Sequence, residues 1–371
     1  MAGYIMTLDN VASLEQCIKT GTYSTNLSIP NKIWNKQQEG TFADYLSMKA
    51  EDNIYFFIKR KIYGIGKIID IKSDCKYLNY INADEPVSVT EKEYKRKCPL
   101  LSYGTPNNRC FCTFVPSPYF FKEGIDMDDA LNSNPSKFRM LRAMWKVSFI
   151  KVDDEENQAL IDVILKRNEN EIFVGKEIYK YNKRLHKAID SKVTLKHQLN
   201  AHRILDNCAH GKLIKHEMAI EAALCEILIK DNDTPFGKWD YVSHQVVASP
   251  FKAIDYMDKM DIFGYNYIPG YFTKSKYLVI ELKKGVAEES IIDQIMKYVD
   301  WIQSEYAYGD YSMIEAFAVA ADFPNKVVEK RNRECIRNFT KGYRPTIACT
   351  WNYVKLIRYE YINGELRFSE I

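Results

Sequence analysis

The sequence predicts an α/β and α+β protein of two domains joined by a helical connector, on three observations. The chain has 371 residues, and at roughly 100–200 residues per domain two domains are the default. The first half reads as β-rich, whereas residues 216–320 run helix, strand, strand, helix, strand, an α/β order. Between them, residues 168–215 are polar, rich in Lys and His, and hold neither Gly nor Pro between Gly175 and Gly211. That stretch reads as rigid helices rather than a floppy linker. The expected boundaries are 1–166, 167–211 and 212–371.

Taken in order, residues 53–70 (NIYFFIKRKIYGIGKIID) form two strand-like runs around a basic turn, Lys59-Arg60-Lys61. Gly64 and Gly66 inside the second run mark a bulge or a close backbone approach. RCFCTFV at 109–115 is a further strand, ended by Pro116 and Pro118. A short helix starts at Asp126. Residues 145–152 read as a strand and 153–166 as a helix. Asp153 and Asp154 suit that helix's positive N-terminal end, and Leu160, Ile161 and Ile164 form its apolar stripe. Residues 216–230 (HEMAIEAALCEILIK) are a strong helix pattern, with Glu217, Glu221, Leu224 and Leu228 on one face. Strands follow at 260–264 and 277–282, a helix from 289 to about 304, and a strand at 316–320. The tail, 353–368, is a hairpin turned by Asn363-Gly364.

Composition narrows the function classes. Hydrophobic residues make up 46% and charged residues 27%, a globular profile rather than a disordered or fibrous one. No run of about 18 or more apolar residues exists, which excludes a transmembrane helix. The N-terminal residues lack a basic stretch followed by an apolar one, so the chain is read as uncleaved and cytoplasmic. Nine scattered cysteines argue for reduced thiols. A net charge of +3 does not announce a nucleic-acid binder, so any such surface comes from local clustering.

The sharpest pattern is Asp261, then Glu281-Leu282-Lys283, then Gln294 and Tyr298. Glu281 and Lys283 are two apart on a strand and project from one face. Ending an apolar strand with two charges on one face is costly unless they have a task. Two carboxylates with the Leu282 backbone carbonyl between them make a hard, oxygen-rich site suited to Mg²⁺ or Mn²⁺. A nearby ammonium stabilises charge developing on a phosphorus centre. Gln294 and Tyr298, four apart, share one helix face. Taken singly, Glu281–Lys283 reads equally well as an edge-strand ion pair.

These residues resemble the PD-(D/E)XK nuclease superfamily, with a QxxxY element like that of RecB-type enzymes. MDIFGYN (260–266), KYLVIELKKG (276–285) and IIDQIMKYVDWI (291–302) are similar to the nuclease domains of NucS-type and Shedu anti-phage enzymes. The resemblance covers roughly residues 212–325. It implies a restriction-endonuclease-like domain in which Asp261, Glu281, the Leu282 carbonyl and a helix-borne glutamate hold the metal; Glu217 is preferred for the last, with Glu221 the alternative, and Asp258 competes with Asp261. Lys283 then positions water or neutralises charge, and Gln294 and Tyr298 orient the substrate. No Pro precedes Asp261, and the gap to Glu281 is long.

The first half resembles EVE domains of the PUA-like family over residues 18–166, on 21–35 (GTYSTNLSIPNKIWN), 51–69 and 138–164. This implies a small β-barrel with helices and an aromatic pocket for a nucleic acid. Trp34, Tyr55 and Phe57 are the candidate stacking residues, since a base between aromatic faces gains about 1–3 kcal/mol per stack. Lys59, Arg60, Lys61 and Lys284 are the candidate phosphate contacts. Five histidines between His186 and His216 lack paired metal-ligand spacing and are read as connector residues.

The expected function is a metal-dependent DNA endonuclease with an N-terminal sensor, in anti-phage or restriction-type defence. A structure-specific repair endonuclease and a non-catalytic nucleic-acid reader are the alternatives, with an RNA-directed sensor as a third. Cutting both strands of a duplex needs two active sites, so a homodimer or tetramer is expected.

Overall fold

A stretch as apolar as NIYFFI has nowhere to go but the middle of a sheet covered on both faces, and that is where it lies. The computed structural model describes residues 1–28, 33–116, 120–144, 148–174, 179–230, 233–249, 252 and 257–371. Residues 145–147 of the expected strand, and 29–32 of the EVE-like segment, lie outside them. The chain divides into two units, Met1–Leu199 and Asn200–Ile371.

The first unit runs β1 (Gly3–Thr7), α1 (Val11–Thr20), β2 (Thr22–Asn26), α2 (Lys36–Leu46), β3 (Asn53–Ile58), β4 (Lys61–Ile68), β5 (Lys76–Leu78), α3 (Glu91–Arg96) and β6 (Asn108–Pro116). It continues with β7 (Ile125–Asp126), α4 (Met127–Ser133), β8 (Phe149–Val152), α5 (Asp154–Arg167), α6 (Glu169–Val174) and α7 (Arg184–Lys192). The main path of the sheet is β2-β6-β4-β3-β1-β8. Among the described residues no ladder joins β2 to β8, yet the Tyr23 and Phe149 rings lie 6.4 Å apart. The sheet therefore curls into a half-barrel rather than the closed small barrel expected. Gly64 and Gly66 are close approaches: a Cβ would stand 2.6 Å from the Tyr55 ring and 2.7 Å from Ile54, respectively. The β3–β4 register also shifts between Ile54 and Phe56. Asp153 caps α5 through the Glu156 N–H, and Leu160 and Ile164 bury its stripe.

The expected separate connector is not a separate body. Leu185 and Ile189 of α7, with Val193, pack on Tyr77, Leu100, Leu101 and Phe111 of the first unit. The His186 ring is hydrogen-bonded to the Gly21 carbonyl, 2.8 Å away. Residues after Leu199 belong to the second unit. Helical period alone does not tell which core takes an apolar stripe.

The second unit runs α8 (Ala201–Cys208), β9 (Ala209–His210), β10 (Leu213–Ile214), α9 (Glu217–Ile227), β11 (Tyr241–Val247), β12 (Lys259–Tyr267), β13 (Lys274–Leu282) and α10 (Ser290–Glu305). Then come β14 (Ile314–Ala320), α11 (Asn325–Glu334), β15 (Arg337–Lys341), β16 (Ile347–Trp351), β17 (Val354–Ile362) and β18 (Glu365–Glu370). The six-stranded sheet has the order β11-β12-β13-β14-β17-β18. β13, β14 and β17 are parallel, as crossovers through α10 and α11 require. The other neighbours are antiparallel. Ile291, Ile295, Val299 and Ile302 bury one stripe of α10, and α10 packs on β13 and β14. Asn363 and Gly364 have φ of 50° and 84° and close the β17–β18 hairpin as a two-residue turn between Ile362 and Glu365, with the positive φ values such turns need.

Candidate active site of the second unit

The site forms where β12 starts and β13 ends, because antiparallel pairing sets those two ends side by side. Ile262 pairs with Ile280, so Asp261 meets the last turn of β13. Its Oδ2 accepts the Leu282 N–H at 2.8 Å. Glu281 is 2% exposed, and its Oε1 receives the Lys283 ammonium at 2.8 Å. The segment after β13 is anchored: Lys283 N–H donates to the Val319 carbonyl at 2.8 Å, and Ala321 N–H to that of Gly285 at 3.0 Å. The Tyr359 hydroxyl donates to the Lys284 carbonyl. Lys283 is thus held on the Glu281 face.

Helix α9 supplies both candidate glutamates. Glu221 is 2% exposed. Glu217, one turn earlier, is half-buried, and its Oε1 accepts the Lys284 N–H at 3.2 Å. The Lys284 ammonium donates to the Lys215 carbonyl at 2.9 Å. Sequence reasoning missed β11, which adds two residues. Gln245 Nε2 donates to both Glu221 oxygens at 3.1 Å and to Asp261 Oδ1 at 3.2 Å. His244 Nδ1 lies 3.4 Å from Glu221 Oε2. The signal available was the alternation of YVSHQVV, too short and polar to stand out.

The electrostatics follow from crowding acids out of water. Burial, then the charges of Glu281 and Glu221, push the Asp261 carboxyl well above the usual range. Burial also raises Glu281, against the opposing charge of Lys283. Burial acts to lower the Lys283 ammonium, but Glu281 and Asp261 hold it above its ordinary value. Burial and the same two acids raise the Tyr298 phenol.

Asp258 is occupied elsewhere. It takes Lys297 at 2.6 Å and Lys252 at 2.7 Å. Burial acts to raise its carboxyl, but those two ammonium groups overcome this and hold it at about 2. Tyr298 is buried and donates to the Lys259 carbonyl at 2.8 Å, which ties α10 to the start of β12. Gln294, one turn earlier, is exposed.

The donor set suits a hard divalent cation, being carboxylate oxygens beside a backbone strand end. Glu281 Oε2 is buried with no hydrogen-bond partner, an acceptor that a cation would satisfy. Among the described residues, no three of these carboxylates bring an oxygen apiece within 4.8 Å of one another. Gln245 and Lys283 are the donors set against them.

In the first unit the aromatic candidates are placed differently from expectation. Trp34 is 2% exposed, its indole N–H donates to the Asp84 carbonyl at 2.7 Å, and the Arg109 guanidinium covers its ring at 5.2 Å. Tyr55 is fully buried and donates to Asn157 Oδ1 at 2.8 Å. Phe57 packs at the edge of the same core. Both faces of β3 are covered, so alternation with Phe56 and Ile58 separates two cores, not a core from a pocket. The stacking role expected of Trp34 and Tyr55 needs an open ring face, which neither has. Lys59 and Arg60 form a two-residue hairpin turn with φ of 46° and 69°, and Arg60 pairs with Asp128 at 2.6 Å. Lys59 and Lys61 are exposed.

No family model matches the chain, and no curated protein does. Solved structures similar to parts of it include a repair endonuclease from Pyrococcus abyssi, 23% identical over 26% of this chain and 34% of that one, with a TM-score of 0.18. A structural-genomics protein from Pseudomonas putida is 12% identical over 43% of this chain and 98% of that one, with a TM-score of 0.27. The chain matches about a third of the endonuclease's length. Among the described residues, no helix is long and apolar enough to cross a membrane.

Proposed function

We propose that the second unit is a metal-dependent nuclease that hydrolyses DNA phosphodiesters. The observation that carries this reading is the meeting of Asp261, Glu281, Glu221 and Lys283 at one sheet end, with Glu281 Oε2 buried and unpartnered. Asp261, Glu281 and the Leu282 carbonyl would hold Mg²⁺ or Mn²⁺, with the acids of α9, Glu221 and Glu217, completing the acidic face. A divalent cation there stabilises the negative charge that builds on the phosphoryl oxygens. Lys283 adds fixed positive charge beside the reacting phosphate and orients water through its N–H donors. The exposed Gln294 can reach along the DNA backbone, while Tyr298 fixes α10 against β12. The defence role and the sensor role of the first unit rest on the sequence resemblance, and a homo-oligomer on the need for two active sites to cut two strands; all three belong to this proposal.

The test is cleavage of linear, circular and single-stranded DNA by wild type and Lys283→Ala, in Mg²⁺, Mn²⁺ or EDTA. Metal-dependent cutting should fall by roughly 10²–10³-fold in the variant, the scale of losing one electrostatic donor. Equal cutting by both proteins would refute the site. Unchanged DNA binding without cutting in any metal would favour a non-catalytic reader.

A further inference from the structure

Gln245 lies outside every motif that pointed to the site, yet it touches two of its acids. We propose that Gln245 is a metal-responsive positioning residue: its N–H side holds Glu221 and Asp261 when no cation is present, and its Oε1 turns inward as an oxygen ligand when one binds. The inference rests on the metal-dependent reading above and adds a residue and a switch to it.

Gln245 has a φ of 51° in the interior of β11, the left-handed region that residues with a Cβ rarely adopt. Pairing continues on either side, His244 with Ile262 and Val246 with Met260, so the turned backbone is local to this residue. A strained backbone held by intact flanks is a feature of functional positions. The turned residue sets its amide against three carboxylate oxygens, at 3.1, 3.1 and 3.2 Å. The nitrogen side suits them, because an amide oxygen facing ionised carboxylates would meet acceptors alone.

The amide is uncharged, so it separates the acids without neutralising them. The nearby Glu281 Oε2, in a side chain 2% exposed, is left without a partner. A divalent cation would satisfy that oxygen and draw the carboxylates inward. It would also repel the amide N–H. Rotation of the terminal amide by half a turn exchanges nitrogen for oxygen in the same volume and supplies a hard ligand of the kind such cations take.

The experiment is Mn²⁺ binding to the full chain by calorimetry without nucleic acid, with melting of the metal-free protein. Wild type, Gln245→Leu, Gln245→Glu and Glu281→Gln are compared. Gln245→Leu should bind Mn²⁺ on the order of tenfold more weakly, the scale of a lost supporting group, and melt lower without metal. Gln245→Glu keeps an oxygen and loses the donor. It should melt lower without metal and recover with Mn²⁺. Wild-type or tighter Mn²⁺ binding by Gln245→Leu would overturn the role of Gln245 while leaving the metal site standing, provided Glu281→Gln loses binding. If Gln245→Leu does not fold, failure of Mn²⁺ to restore Gln245→Glu overturns it instead. No Mn²⁺ binding by wild type, or undiminished binding by Glu281→Gln, would overturn the metal reading and this inference together.

Discussion

Glu281 and Lys283 show how far single residues can be read. Their spacing of two on an apolar run fixes a shared face, and the structure holds them 2.8 Å apart. Which glutamate of α9 stands deeper was not legible, because Glu217 and Glu221 share a face at the level of period. The crossing of α9 over the sheet leaves Glu221 the more buried. At Tyr298, Tyr298→Phe removes the hydrogen bond to Lys259 and should cost about 1 kcal/mol in denaturant unfolding. No shift would show that the bond contributes nothing. In the first unit Glu156 is fully buried and accepts the Met140 and Leu141 N–H groups at 3.0 and 2.8 Å. Burial, then the charge of Asp153, raises its carboxyl from 4.5 to about 7 against those hydrogen bonds. A raised carboxyl holds its proton more tightly in the folded state. Its stabilisation is therefore full below about 4.5 and is lost as pH rises through about 7, a change of roughly 3 kcal/mol. Melting temperature should fall between pH 5 and 8, and Glu156→Gln should flatten that slope. An unchanged slope in the variant would assign it to other groups.

Among elements, the hairpin at Asn363-Gly364 and helices α5, α9 and α10 were legible, since turn chemistry and apolar period are local. Strand β11 was not, because its polar centre is explained only by the acids it meets. Gly264 of β12 was read as part of a motif, and the structure gives its physical reason. A Cβ there would stand 2.6 Å from the Tyr241 carbonyl oxygen of β11, a backbone atom that cannot rotate away. Gly264→Ala should force β11 from β12 and destabilise by about 1–3 kcal/mol. The midpoint of chemical unfolding checks it, and a wild-type midpoint would mean the strands part freely. Because β11 carries Gln245, the proposed metal site predicts weaker Mn²⁺ binding in the same variant.

At the scale of the molecule, where three parts were expected, the chain divides into two units, Met1–Leu199 and Asn200–Ile371. The histidine-rich stretch is shared out between them: His186 is hydrogen-bonded to Gly21 in the first, and His202 to Gly364 at 3.0 Å in the second. Each unit has its own sheet, so residues 200–371 expressed alone should unfold cooperatively. A non-cooperative melt would show that the second unit's core is incomplete without the first. On the proposed nuclease reading, a net charge of only +3 predicts DNA affinity carried by local lysines, with a modest salt slope. A steep slope would point to a wider basic surface.

Helices α9 and α10, strands β12, β13 and β14, the shared face of Glu281 and Lys283, and the placing of Gln294 and Tyr298 on one helix were legible along the chain. Each is a matter of local period, which neighbours along the chain carry between them. Packing between distant segments set the rest: Trp34 and Tyr55 are interior, no ladder among the described residues closes the first sheet, Asp258 is neutralised by Lys252 and Lys297, and Gln245 joins the acids. Those outcomes depend on what covers a face or meets a strand end once the chain has folded back on itself, and no local pattern records it.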